Sequence, residues 1–146
     1  MATDFEELYR YLRLAHYQKL FATISEKQGS LSATEAFSVE VIHVLGEPTI
    51  GEFADFLGIS QPNASYKVVS LVSKGYIKKK PCENDKRECR LAVTQKFLDY
   101  YGSQVPDISS ITKDFSDAEN AVLRKLSRKI ADEISKTLET EQKTLS

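Results

Sequence analysis

Apolar residues recur at helical spacing along most of the chain, and the period changes in only one short stretch. Phe5, Leu8, Leu12 and Ala15 form one stripe, while Leu14, Tyr17, Phe21 and Ile24 form a second, offset from the first. Together they predict a helix from Asp4 to about Lys27 with two apolar faces, one for its own domain and one for another surface. Phe37, Val41, Val44 and Leu45 mark the inward face of a second helix, Ala33 to Leu45. Ile50, Phe53, Ala54 and Leu57 do the same for a short helix from Ile50 to Leu57. Ala64, Val68, Leu71 and Val72 predict a fourth, from Ser60 to Ser73 or Lys74.

The pattern then turns strand-like over Tyr76–Lys80 and Cys89–Val93, with a turn over Pro81–Glu88 between them. Helical spacing resumes after Thr94 through Phe97, Leu98 and Tyr101. Gly102 and Pro106 predict a bend or break near Val105–Pro106. Val122, Leu126, Ile130, Ile134 and Leu138 recur every four residues in a last helix, Asp117 to Leu138. That stripe drifts round the helix, which suits packing against another helix at an angle.

Polar punctuation supports these boundaries. Thr3…Glu6, Ser32…Glu35, Thr49…Glu52 and Ser116…Glu119 each match a capping box, in which a hydroxyl accepts from a free backbone N–H and the Glu reaches back. Ser60 is a suitable N-cap, with Pro62 in the first turn, where a missing N–H costs no helical bond. Gly46, Gly58 and Gly75 stand where helices must stop, and Glu47-Pro48-Thr49 reads as a short extended link. The fold class expected is mainly α with a small β-hairpin wing, that is, a winged helix-turn-helix.

Charge sharpens this picture. The 146-residue chain has 20 Lys and Arg against 21 Asp and Glu, a net charge of −1. From Ser60 to Lys96, however, nine basic residues face three acidic ones, giving +6, while the remainder has eleven against eighteen, giving −7. A local basic patch on a near-neutral chain is the electrostatic footprint of phosphate binding, because Lys and Arg displace condensed counterions.

With Ala64, Val68, Leu71 and Val72 inward, about 100° per residue turns Pro62, Asn63, Tyr66, Val69, Ser70 and Ser73 outward. Asn63 and Ser70 can donate and accept at base edges, and Tyr66 can reach a phosphate or a thymine methyl. Ser60 and Gln61 open the helix N-terminus, whose free N–H groups suit a phosphate. Ser65 belongs to the same turn, and Lys67 and Lys74 lie on the flank. Along the hairpin, Lys78, Lys86, Arg87 and Arg90 are the expected backbone contacts, Arg87 at the tip reaching a minor groove. Asp85 would hold the shape of that tip.

The stretch resembles the MarR family of bacterial transcriptional regulators. The resemblance rests on Leu57-Gly58-Ile59-Ser60, on Leu71 to Ile77 with Gly75-Tyr76-Ile77, on Asp85-Lys86-Arg87, and on Leu91-Ala92-Val93-Thr94. It covers residues 31 to 100 closely and, through the number and length of the flanking helices, nearly the whole chain. It implies a homodimer joined through helical arms at 1–30 and 96–146, flanking a DNA-binding domain at 31–95. Two recognition helices and wings would then straddle an inverted-repeat operator on double-stranded DNA, most often as a repressor. It also implies a small-molecule effector near the junction of arm and winged domain, where Tyr9, His16, Tyr17, Phe37 and Phe53 are the candidate lining residues. Tyr66 and Lys67 depart from the family pattern, which often has Arg and an apolar residue at those places.

Other chemistry is sparse. His16 and His43 lack metal-ligand spacing to any Cys, His, Asp or Glu, and no nucleophile–base pair or Gly-rich phosphate loop stands out, so no cofactor and no enzymatic activity are expected. Cys82 and Cys89 flank the wing turn and invite a thiol redox switch as an alternative. A winged-helix adaptor that binds protein and not DNA is a second. No apolar run approaches the roughly 20 residues of a membrane span, and two cysteines suit a reducing cytoplasm.

Overall fold

Four capping boxes organise the backbone. The computed structural model describes residues 3–24, 31–81, 89–101 and 108–145. Its elements are α1 (Asp4–Thr23), α2 (Ala33–Leu45), α3 (Ile50–Leu57), α4 (Gln61–Ser73), β1 (Ile77–Pro81), β2 (Cys89–Val93), α5 (Gln95–Tyr101), α6 (Ser109–Thr112) and α7 (Asp117–Leu145). Thr3, Ser32, Thr49 and Ser116 cap α1, α2, α3 and α7. In each case the Glu three residues on accepts from the cap's own N–H at 2.6–2.8 Å. Such caps contribute on the order of 1 kcal/mol apiece. No helix among the described residues is long and apolar enough to cross a membrane.

The chain divides into two units, Met1–Gln104 and Val105–Ser146. The first holds the core: Phe53, Phe97, Leu20, Leu31, Ile42 and Leu71 are its largest fully buried side chains, with Val39, Val68, Ile77 and Leu91 around them. β1 and β2 pair antiparallel, from Ile77 opposite Val93 to Pro81 opposite Cys89. The link between α2 and α3 adds a third short member. Thr49 bridges Arg90, and the Leu91 N–H donates to the Pro48 carbonyl at 2.8 Å. A proline can sit there because its carbonyl, not its missing N–H, faces the neighbour.

The structure corrects the face assigned to α2. Ala36, Val39 and Ile42 are buried, with Ser38 and Glu40, whereas Phe37, Val44 and Leu45 are exposed and Val41 is half-buried. Apolar residues lie almost all round this helix, so periodicity alone could not choose a face. The two buried polar residues are satisfied on that face: Ser38 Oγ donates to the Thr34 carbonyl one turn back at 2.8 Å, and Glu40 meets His16 of α1. Val72 of α4 is likewise exposed rather than core.

Two helix ends also differ. α1 stops at Thr23, short of Lys27, because Ile24 leaves helical geometry (φ −89°, ψ 89°) and donates to the Phe21 carbonyl in a tightened last turn. No basic residue stands in that turn to hold the free carbonyls. α7 continues past Leu138, where the apolar stripe ends, to Leu145, through a Glu-Thr-Glu-Gln-Lys run whose Glu, Gln and Lys are good helix formers. Thr94 begins α5 through its carbonyl, which accepts from Phe97 and Leu98, but its hydroxyl turns away to donate to the Gly75 carbonyl at 2.6 Å.

In the second unit, α6 and α7 meet at a turn closed by Asn120, whose side-chain N–H groups reach the Thr112 and Phe115 carbonyls at 3.2 and 3.3 Å. None of its described residues is buried. Val122, Leu126, Ile134 and Leu138 all stand open to solvent, so its described residues form no core of their own. The break anticipated near Val105–Pro106 lies outside the described residues.

Candidate nucleic-acid interface

The α3–α4 turn is built by local chemistry. Gly58 takes a left-handed conformation (φ 65°, ψ 35°) that an L side chain would strain. The Ile59 N–H then donates to the Ala54 carbonyl at 3.1 Å, and Ser60 accepts from the Asn63 N–H at 3.4 Å to start α4. Ala64, Val68 and Leu71 seat α4 in the core. That leaves Ser60, Gln61, Pro62 and Asn63 exposed, and Tyr66 most of all at 81%. Val69 is also open, while Ser65 and Lys67 are half-buried. A Cβ at Gly51 would lie 3.1 Å from the Gln61 amide nitrogen. The bare glycine on α3 thus lets Gln61 lie close along its neighbour, a role the sequence did not suggest.

The basic ribbon is less uniform than its composition implied. Lys80 pairs with Glu47. Arg90 donates to the Glu52 carboxylate at 3.2 Å and the Glu47 carbonyl at 3.3 Å. Glu47 sits with φ 58°, a left-handed conformation that costs roughly 1–2 kcal/mol for a residue with a Cβ. Two contacts to the ribbon, from Lys80 to its carboxylate and from Arg90 to its carbonyl, accompany that conformation. The hydrogen bond from the Lys80 ammonium foremost holds the Glu47 carboxyl below its usual range, against desolvation, with the charges of Lys80, Lys78 and Arg90 adding to it. Lys78 and Lys79 are exposed and form no ion pair with another described residue. Strand alternation puts them on opposite faces of the ribbon. Lys86, Arg87, Asp85 and Cys82 lie outside the described residues. Cys89 is a half-buried free thiol.

Behind α4 lies a carboxylate that sequence reading took only for a cap. Glu35 accepts from Ser70 Oγ at 2.8 Å and from Lys74 Nζ at 2.7 Å, besides the Ser32 N–H at 2.8 Å. Burial pushes its pKa up, but Lys74, the Ser32 backbone, and the Ser70 and Ser32 side chains outweigh that and bring it down to about 2. Ser70 and Lys74, both expected to face nucleic acid, are therefore already engaged within the domain. At the far end of α4, Lys96 donates to the Lys74 carbonyl at 2.8 Å and lies over the Tyr76 ring, a cation where the helix dipole favours one.

A model of the MarR family matches residues 31–89, the stretch from α2 to the start of β2. This segment belongs to the MarR family. The MarR domain is a winged helix-turn-helix in which α3 and α4 are the paired helices and β1–β2 the wing. Solved structures agree on the fold. The chain is 22% identical to a MarR protein from Peptoclostridium difficile, covering 99% of this chain and 95% of that one with a TM-score of 0.51. A mutant MepR from a multidrug-resistant S. aureus clinical isolate is 15% identical, over 92% and 99%, with a TM-score of 0.57. A mutant MarR from E. coli complexed with operator DNA is 21% identical, over 88% and 99%, with a TM-score of 0.50. Comparison with curated proteins finds no match.

The residues suggested for an effector cleft do not converge around the MarR domain as a set. Phe53 is fully buried in its core and presents no surface to a ligand, which corrects its assignment. Phe37 is exposed on α2. Tyr9 and Tyr17 stand exposed on α1 with the Arg13 guanidinium over both rings, at 5.6 and 5.7 Å. His16, by contrast, joins α1 to the MarR domain through polar contacts: its Nδ1 lies 3.5 Å from Glu40 and 3.2 Å from the Tyr101 hydroxyl. His43 packs edge-on to Phe97 at 5.8 Å.

Proposed function

We propose that this chain is a sequence-specific DNA-binding transcriptional regulator that acts as a homodimer on an inverted-repeat operator. The observation that carries the reading is the outward face of α4, where Ser60, Gln61, Asn63 and Tyr66 stand exposed at the capped N-terminal end of a core-anchored helix. In the same unit, Lys78 and Lys79 are exposed on the ribbon. A helix so presented enters a major groove, with its N-terminal residues at base edges and cations on the flanking phosphates. The mutant E. coli MarR complexed with operator DNA is a precedent for this fold on such a ligand.

Dimerisation through the arms at 1–30 and 96–146 is supported by the apolar surface that one copy leaves open: Phe5, Leu8, Leu12 and Phe21 on α1, and Leu126, Ile134 and Leu138 on α7. Twofold symmetry then sets half-site centres roughly one helical turn apart, ~34 Å. The sign of regulation proposed is repression. A small-molecule effector would act between α1 and the winged helix, where His16 and Tyr17 lie.

Gel shifts at low salt, with random duplex and with the intergenic palindrome nearest the gene, test this reading. Retardation of both, tighter on the palindrome, is expected. No retardation of any duplex would sink it and leave the winged-helix adaptor.

A further inference from the structure

Resting on that reading, we propose that Glu35 is a positioning residue of the recognition helix: it holds Ser70 and Lys74 away from DNA and confines base readout to the first two turns of α4. Three of its hydrogen bonds carry the argument. Ser32 N–H, Ser70 Oγ and Lys74 Nζ converge on one carboxylate within 2.7–2.8 Å. These partners come from the start of α2 and from the C-terminal half of α4, elements remote in sequence. The carboxylate therefore fixes the roll and axial position of α4 against α2, and so the direction in which Asn63 and Tyr66 point.

The same contacts remove two expected DNA ligands. An ammonium neutralised by a carboxylate at 2.7 Å, with a third of its side chain exposed, displaces no counterion unless that pair first breaks. A hydroxyl whose proton is given to Glu35 cannot donate it to a base. A groove of about 650 Å³ between α2 and α4 has Glu35, Asn63, Tyr66, Lys67 and Ser70 in its lining, so the carboxylate and the side chains of the first two turns share one surface. The depressed ionisation of Glu35, near 2, agrees with a carboxylate that stays charged and occupied.

The test is the salt dependence of affinity for a random-sequence duplex, with the full-length chain. Lys74→Met should leave the slope of log K against log salt unchanged, whereas Lys67→Met should lower it by about 0.9. Glu35→Gln should steepen it by about 0.9 by freeing Lys74, and adding Lys74→Met to that variant should restore the parental slope. Gln also completes a capping box, so this variant keeps the cap of α2, and circular dichroism checks that it is folded. Ser70→Ala should leave the ratio of palindrome to random affinity as it was. A slope lowered by Lys74→Met, or left unmoved by Glu35→Gln, overturns the proposal.

A readout without DNA separates the two readings. By NMR of the free protein, the Glu35 carboxyl should titrate near 2 and move up towards 4.5 in Lys74→Met. If it does so in a protein that binds no duplex, the clamp stands and the DNA reading falls. If Glu35 titrates at 4.5 in a protein that binds, the clamp falls alone.

Discussion

The Tyr101 hydroxyl lies 3.2 Å from Nδ1 of His16, joining α5 to α1 across the edge of the winged helix. The buried Glu40 of α2 completes the junction, 3.5 Å from the same nitrogen and hydrogen-bonded to Tyr101. Burial first, then the Glu40 carboxylate, raises the Tyr101 pKa above its ordinary 10. A raised acid pKa in the folded state means stability that is whole below pH 10 and lost as pH rises through the folded value. Tyr101→Phe should cost about 1–3 kcal/mol in urea unfolding near neutral pH, because Glu40 loses a donor in a buried place. It should also remove most of the alkaline loss above pH 10; a variant that keeps the parental alkaline profile would assign that loss to other tyrosines.

Glu35 gives the opposite window. Its folded pKa is depressed from 4.5 to about 2, so its contribution is present above pH 4.5 and drains away as pH falls from there to about 2. Urea midpoints measured from pH 6 down to pH 2 should fall less steeply for Glu35→Gln than for the parent. Parallel curves would show that Glu35 is not the carboxylate responsible.

Much of this architecture is legible in the sequence because it is local. A Ser or Thr three residues before a Glu is a complete cap within one turn, and the four pairs that lead into an apolar periodic run, Thr3/Glu6, Ser32/Glu35, Thr49/Glu52 and Ser116/Glu119, each start a helix. The Gly58–Ser60 turn, the α4 core stripe of Ala64, Val68 and Leu71, and the hairpin are of the same kind. What the sequence withheld depends on partners far along the chain. Glu35 and Lys74 are 39 residues apart and Glu47 and Lys80 are 33 apart, so a count of basic residues could not tell engaged cations from open ones. The face of α2 escaped for a related reason. Ala36, Val39 and Ile42 also recur at helical spacing, and it is their face, with Glu40 meeting His16, that is buried.

Asn63 stands exposed in the first turn of α4, with its backbone N–H held by Ser60. An amide there can donate and accept at one base edge. Asn63→Ala should cost about 1–3 kcal/mol on the palindrome and little on random duplex, measured as the ratio of the two dissociation constants. Equal losses on both would remove Asn63 from the readout.

Lys78 and Lys79 differ from Lys80 in forming no ion pair with another described residue: Lys80 is paired with Glu47, whose carboxyl Lys78 influences only through its charge. Replacing Lys78 and Lys79 together by Met should lower the salt slope by about two, whereas Lys80→Met should change it by much less. The contrast matters more than either value. An equal effect per lysine would mean that the Glu47 pair opens on DNA and that the ribbon binds as an undivided patch.

The apolar face of α7 makes the last prediction the sharpest test of assembly. No described residue of that unit is buried, yet Leu126 is 53% and Ile134 53% exposed on a helix 29 residues long. A stripe of this size in water is an association surface or a liability, and α1 adds Leu8 and Leu12, also open. A twofold contact would cover the same faces on both copies. Sedimentation of the parent should give about twice the chain mass, and Leu126→Glu with Ile134→Glu should give a monomer, because each charge would need to be buried without a partner. A monomer still folded by circular dichroism should lose the palindrome while keeping weak, salt-sensitive binding to random duplex, since one winged helix reaches only one half-site. A charged variant that remains dimeric would place the subunit contact away from this face of α7.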